Sequence, residues 1–363
     1  MTEFVHSSVT AGIGVLTLDR PKALNSLSLD MVRALTASLL AWRDDPTVRC
    51  VVIRGSSEKA FCAGGDIRFF FDAGKSTPTG GSALLEDFFT EEYALNHLTH
   101  FYPKPYIAFM DGIVMGGGMG VAQGGPGCQL RIVTERTKMA MPEVNIGLFP
   151  DVGGSYFLSR CPGQLGTYLG VTGEVILAAD ALAAGLADLF VPSAELPKLL
   201  TMLQASPEEP RAAIRAFAEQ FRGQIAPAEA MLTAERASID RHFAFDAVPQ
   251  IVASLAADTG AFAQKTLAMM QKRSPLLMCV TLSQLRRGAG MDIADCLRME
   301  RNMVRRNFEH GEILEGVRAV VIDKDNAPAW SPPQLDAVTP DMVARFFEPA
   351  WPSWAHPLRS LGA

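Results

Sequence analysis

Residues 105–120 read PYIAFMDGIVMGGGMG. Tyr106 to Met110 form a near-continuous apolar run, closed by Asp111-Gly112. A second short run, Ile113 to Met115, ends in a cluster of glycines. A run that is apolar on both faces is what a strand needs when both sides of its sheet are covered. CVVIRG (50–55) repeats the pattern and is followed by the glycine-bearing loop FCAGGDI (61–67); QLRIVTE and TKMAM read as two more strands. Strands of this kind, separated by segments of helical pattern, predict an α/β layered core.

Outward from that core, FVHSSV and GIGVLTL are β-rich runs joined at Thr10–Gly12, which predicts a hairpin ending at Asp19-Arg20-Pro21. Ser28 is placed to cap a helix carrying Met31, Val32, Leu35, Leu39 and Leu40 near helical spacing. Gly74 to Ser82, rich in Gly, Ser, Thr and Pro, predicts a mobile loop, and residues 83–100 predict a helix. Beyond about residue 160 helical patterns dominate, as at 176–187, 208–221, 258–272 and 292–309. GVRAVVIDKD (316–325) is a late β-like run, and the Pro- and Trp-rich tail from Ala327 to Pro352 reads as irregular. The expected organisation is a core over 1–200 and a helical region over 201–363, packed on that core or on another subunit.

The 363 residues are 48% hydrophobic and 20% charged, enough for a sizeable core and unlike a disordered chain. A net charge of -6 argues against nucleic acid as the main partner. The most apolar segment is broken by Asp111 and glycines, so no membrane span is expected. The six cysteines include no CxxC pair, which fits free thiols in a reducing compartment. The opening MTEFVHSSVT lacks a basic stretch followed by an apolar run, so a cytoplasmic protein is expected.

Several familiar motifs fail. A dinucleotide fingerprint beginning at Gly118 needs a glycine where Gln123 stands, and a phosphate loop ending at Gly74-Lys75-Ser76 needs one at Phe69. A nucleophile elbow on Ser155 needs a glycine at Phe157. His97 and His100 lack a third ligand at a familiar spacing, so no metal site is expected. Two glycine turns remain, AGGD and GGGMG, each after a predicted buried strand. Such turns expose backbone N–H groups, and two converging donors can hold negative charge developing on a carbonyl oxygen. Downstream, MPEVNIGLFPDVGGS (141–155) sets Glu143 and Asp151 in an apolar, kinked segment where desolvation and mutual repulsion shift carboxyl pKa values. A plain turn, or for Asp151 a helix N-cap onto VGGSYFLSR, is the competing reading.

In order along the chain, LTLDRPKALNSLS, VVIRG, KAFCAGGDI, KPYIAFMDGIVMGGGMG and MPEVNIGLFPDVGGSYFLSR resemble the crotonase (enoyl-CoA hydratase/isomerase) superfamily. The resemblance implies a crotonase-type ββα spiral core with a helical C-terminal region. It also implies an acyl-CoA thioester substrate, no cofactor beyond the CoA of that substrate, and homo-oligomers such as trimers or hexamers. It puts the oxyanion hole on the N–H groups of Gly65 and Gly117, and the adenine and phosphate end of CoA near Lys22, Ala23, Ala63, Gly64, Asp66 and Ile67. Hydratases of the superfamily use two glutamates. One matches Glu143; the other falls at Gly120, which has no side chain to position water. Asp151, Glu92 in EEYALNH and the segment EGVRAVVIDKDNAPAW resemble instead the superfamily's 3-hydroxyisobutyryl-CoA hydrolase branch, of valine degradation. That implies Glu143 as nucleophile or general base, Asp151 as a hydroxyl-binding or proton-handling acid, and Glu92 in the acyl pocket, with a solvated helical charge as the plain alternative for Glu92. QGGPGCQLRIV is longer than the usual spacing. Phe69, Phe70, Phe71, Phe88 and Phe89 are candidates for pocket wall or core. Enoyl-CoA hydration or isomerisation, and non-catalytic acyl-CoA binding, are the competing functions.

Overall fold

The structure, a computed structural model, describes residues 2–77, 81–125, 129–205 and 209–362. Residues 126–128 of the lengthened QGGPGC stretch, with Cys128, and residues 78–80 of the predicted loop lie outside the described residues. The chain divides into two compact units. The first combines Met1–Gly65, Leu95–Ala140 and Val175–Ala234; the second combines Asp66–Ala94, Met141–Glu174 and Glu235–Ala363.

The first unit holds two sheets. Strands β1 (Val5–Thr10), β2 (Ile13–Leu18) and β3 (Cys50–Gly55) begin the first; β4 (Ala60–Cys62) begins the second. They are followed by β5 (Tyr106–Met110), β6 (Ile113–Met115), β7 (Gln129–Val133), β8 (Lys138–Ala140), β9 (Ile176–Leu177) and β10 (Leu189–Phe190). The larger sheet runs β1-β2-β3-β5-β7-β10 and the smaller β4-β6-β8-β9. Among the described residues, only the β1–β2 hairpin and the β8–β9 pair of these strands are antiparallel. β5 is buried along its whole length, as its unbroken apolar run requires. β1, at the edge, is exposed at all but Val5. One face of the larger sheet (Val15, Val52, Ile107, Phe109, Ile132) packs with Leu199, Leu203, Ile214 and Phe217 from the helices Leu196–Gln204 and Pro210–Glu219.

Ser28 caps the helix Leu29–Arg43, its hydroxyl accepting from the Met31 N–H. The buried stripe of that helix ends at Trp42, not Leu40, which is exposed. Gly14 explains the difference: a Cβ there would lie 2.7 Å from the Trp42 ring, so the glycine makes room for the indole against β2.

The second unit is helical. Gly74, expected in a loop, lies in the helix Ile67–Ser76, because its bare Cα sits beneath Leu314 and Phe308. In the first unit, by contrast, Ile176–Leu177 of the expected helix at 176–187 is strand and Ala178–Ala183 helix. In the second unit the β-like run 316–325 is also helical, an α-helix Ile313–Val317 followed by a π-helical turn Arg318–Ile322. Its Val and Ile residues favour strand intrinsically, but packing decides. Ile313, Gly316 and Val317 are buried at helical spacing, a Cβ on Gly316 would lie 2.2 Å from the Ile146 backbone, and Arg318 closes the turn onto Glu315, Asp323 and Asp325. The tail is largely irregular, as expected, apart from the helix Pro340–Arg345. It is tied along the helix Ile293–His310: Arg298 donates to the Leu361 carbonyl, Arg306 to that of Pro349, and Asn302 accepts from Ala350.

Candidate active site

In the first unit, the glycine turns are set by a loop at residues 20–27. Leu24 and Asn25 both adopt positive φ. The buried Asn25 amide donates to the Ala60 and Phe61 carbonyls (2.9 and 3.2 Å), while its oxygen accepts from the Arg20 N–H. The loop is thus pinned to β4. The Ala63 N–H donates to the Leu24 carbonyl and the Leu27 N–H to that of Gly64, which brings Lys22 and Ala23 beside Ala63 and Gly64. Gly64 has φ +104°, and a Cβ on it would lie 3.2 Å from the Met115 carbonyl and 3.4 Å from the Gly117 nitrogen. The turns after β4 and β6 therefore touch. Gly117 opens the short helix Gly117–Ala122, whose first N–H groups have no partner within the helix. Among the described residues, neither the Gly65 nor the Gly117 N–H meets an acceptor. Two unpaired donors on touching turns are what an oxyanion hole needs.

The acids belong to the second unit. Glu92 lies on the helix Ala83–His100, Glu143 opens the 3-10 turn Glu143–Asn145, and Asp151 follows Pro150; all three are buried. This excludes a solvated role for Glu92. Asp151 is not an N-cap either: the cap of the helix Gly154–Ser159 is Gly153, and the Asp151 carboxylate accepts a 2.7 Å hydrogen bond from the Tyr93 hydroxyl. Oε1 of Glu92 and Oε2 of Glu143 have no hydrogen-bond partner among the described residues. Burial raises the pKa of Glu92 well above the usual carboxyl value, and the charges of Asp151 and Glu143 add to the effect. Glu143 is raised well above its usual value by burial and by Asp151. Burial also raises Asp151, to about 6, against the lowering effect of the Tyr93 hydrogen bond. Burial thus disfavours the charged form of all three acids, and Asp151 has in addition the Tyr93 hydroxyl to favour its own. Such a cluster can both give and take protons near pH 7.

Asp66 and Ile67 begin the helix Ile67–Ser76, with the Asp66 carboxylate accepting from the Phe69 N–H. Phe70, Phe88 and Phe89 pack against one another as core, whereas Phe69 and Phe71 are half-buried.

Three residues at the acids escaped the sequence reading: Tyr93, Gln284 and Glu300. For Glu300 a signal existed. Ile293, Cys296, Leu297, Glu300, Val304 and Asn307 fall at helical spacing, so an acid interrupts an apolar stripe. Tyr93 and Gln284 gave none beyond their types.

A sequence profile of the enoyl-CoA hydratase/isomerase family matches residues 13–347. The chain belongs to that family. Among relatives of this enoyl-CoA hydratase/isomerase family member, the "3-hydroxyisobutyryl-CoA hydrolase, mitochondrial" of Gallus gallus is 40% identical over 341 residues, spanning 93% of this chain and 87% of that protein. The protein of the same name from Homo sapiens is 38% identical over 338 residues, 92% of this chain and 86% of its own. A solved structure titled a carnitinyl-CoA dehydratase, from Mycobacterium thermoresistibile, superposes with a TM-score of 0.89 at 39% identity, covering 97% of this chain and 98% of its own. One titled an enoyl-CoA hydratase, from Rhodobacter sphaeroides, gives 0.85 at 36%, covering 96% and 98%. The crotonase-type α/β fold expected from the sequence is the fold these proteins share. Among the described residues no helix is long and apolar enough to cross a membrane.

Proposed function

We propose that the protein hydrolyses a short, branched 3-hydroxyacyl-CoA thioester, 3-hydroxyisobutyryl-CoA, to the free hydroxy acid and CoA. The buried cluster of Glu92, Glu143 and Asp151 carries this reading, together with the glycine at 120 where the resemblance puts a hydratase's second glutamate. The name of the full-length relatives supports it. In this mechanism the N–H groups of Gly65 and Gly117 receive the thioester oxygen as it gains charge. Glu143, as its carboxylate, either attacks the carbonyl or draws a proton from the attacking water. Direct attack forms a mixed anhydride and expels CoA as thiolate, which takes up a proton; water then opens the anhydride and restores Glu143. Asp151 binds the substrate hydroxyl or relays protons, and Glu92 lines the acyl pocket. Lys22, Ala23, Ala63, Gly64, Asp66 and Ile67 hold the CoA end.

The chemistry needs no metal or redox cofactor, so activity should survive exhaustive chelation. We place the protein in the cytoplasm as a homo-oligomer, trimer or hexamer; cell fractionation and light scattering test both.

Hydration of an enoyl-CoA is the second reading, favoured by the titles of the two superposed structures. Free-thiol release from 3-hydroxyisobutyryl-CoA, 3-hydroxypropionyl-CoA and crotonyl-CoA separates the two. Release from the hydroxyacyl thioesters that collapses in Glu143→Gln establishes the hydrolase. Loss of the enoyl absorbance of crotonyl-CoA without thiol release establishes the hydratase and refutes our proposal.

A further inference from the structure

The segment Pro150–Ser155 has an unusual backbone. Val152 has φ +53° and Gly153 φ +90°. A β-branched residue in the left-handed region is strained by roughly 1–3 kcal/mol and persists only where its surroundings over-determine it. Buried side chains from three separate helices do so here. Glu300, on Ile293–His310, accepts from the Gly153 and Ser155 N–H groups at 2.7 and 2.8 Å, one on each carboxyl oxygen. Gln284, on Pro275–Gly288, donates to the Pro150 carbonyl (2.5 Å) and the Ser155 hydroxyl (2.8 Å). Tyr93, on Ala83–His100, donates to Asp151 itself. Groups on both sides of Asp151 are thus held, and its carboxylate is held directly.

We propose that Tyr93 and Glu300 are positioning residues for Asp151, Tyr93 fixing its carboxylate and Glu300 locking the strained turn that presents it. The proposal rests on the reading of Asp151 as an acid of the reaction. The titratable groups that face Asp151 are Tyr93 and Glu92 on one helix, Glu143 on the neighbouring turn and Glu300 on another helix. None is a cation, so the Tyr93 hydroxyl is the side chain that favours the charged form of Asp151.

The test is the pH dependence of thiol release from 3-hydroxyisobutyryl-CoA for wild type, Tyr93→Phe, Glu300→Gln and Asp151→Asn, with thermal melts of each. Phenylalanine keeps the ring packing against Phe89 and removes only the hydroxyl. In Tyr93→Phe, kcat is expected to fall about tenfold or more, as loss of one charge-assisted hydrogen bond implies. KM should stay within about twofold, and the acid limb of the profile should move to higher pH because Asp151 loses the donor that favours its ionised form. Glu300→Gln can accept at one N–H only and turns its own NH2 group toward the other; kcat should fall with KM little changed. Wild-type kcat and profile in Tyr93→Phe, with Asp151→Asn inactive, would overturn the proposal and leave Asp151 in the reaction. So would a lower rate with an unmoved acid limb. Wild-type activity in Asp151→Asn would instead overturn the role of Asp151. If Glu300→Gln does not fold, the Tyr93→Phe profile decides alone.

Discussion

Replacing Gly118 with alanine should disable catalysis through the backbone alone. A Cβ at 118 would lie 2.2 Å from the Cys62 carbonyl oxygen and 2.9 Å from both the carbonyl carbon and the Cβ of Cys62. Ordinary contact begins at 3.4 Å, so the helix Gly117–Ala122 must back away from β4 by about 1.2 Å. β4 cannot yield instead, since it is paired with β6 and held by the Asn25 amide. The Gly117 N–H rides on the displaced helix. Overpacking of this kind costs about 1–3 kcal/mol of stability. A displacement of ~1 Å at a reacting group costs about a hundredfold in rate, comparable to losing an oxyanion-hole donor. Gly118→Ala should therefore fold with a lowered Tm and lose about two orders of magnitude in kcat for thiol release. Gly223→Ala, with nothing within 4 Å of the new methyl, is the silent control. A Gly118→Ala protein with kcat within about threefold of wild type would refute the link between this close approach and the oxyanion hole.

The buried acids make a second prediction. Glu143 has a folded-state pKa above its unfolded value of 4.5, so folding retains a proton, and its contribution to stability falls as pH rises above that value. Glutamine does not titrate. The Tm advantage of Glu143→Gln over wild type should therefore grow from pH 5 to pH 8.5 in thermal melts; a gap that shrinks would contradict a buried acid of raised pKa. In Asn25→Ala, alanine must adopt the left-handed backbone and two buried carbonyls lose their donor, at a cost of about 2–4 kcal/mol. Urea unfolding should show that loss, and KM for the CoA thioester should rise more than kcat falls, because Asn25 anchors the loop carrying Lys22 and Ala23.

What could be read from the chain alone follows from how local each signal is. β3 and β5 announce themselves because strands covered on both faces must be apolar throughout, and Ser28 because a cap acts within one turn. Glu92, Glu143 and Asp151 stood out through the motifs around them. The helical turns at 313–322 did not, since the strand preference of Val320, Val321 and Ile322 is local while the packing of Gly316 on Ile146 spans some 170 residues. Tyr93, Gln284 and Glu300 stayed hidden for the same reason: each acts on the Pro150–Ser155 turn from a distant helix, and only folding reveals the partner.

The placement of Glu300 has a consequence for the gene. A stop codon between codons 191 and 284 would leave every described strand and both glycine turns encoded, yet delete Gln284 and Glu300, two of the three side chains that brace the strained turn at 150–155. Stops far later should also be harmful, because residues as late as Pro349 and Leu361 bind the helix that carries Glu300. Frameshifts just ahead of codon 349 should thus lower turnover, by freeing the helix that carries Glu300. Chains shortened to their sheet-bearing portion should yield protein without activity.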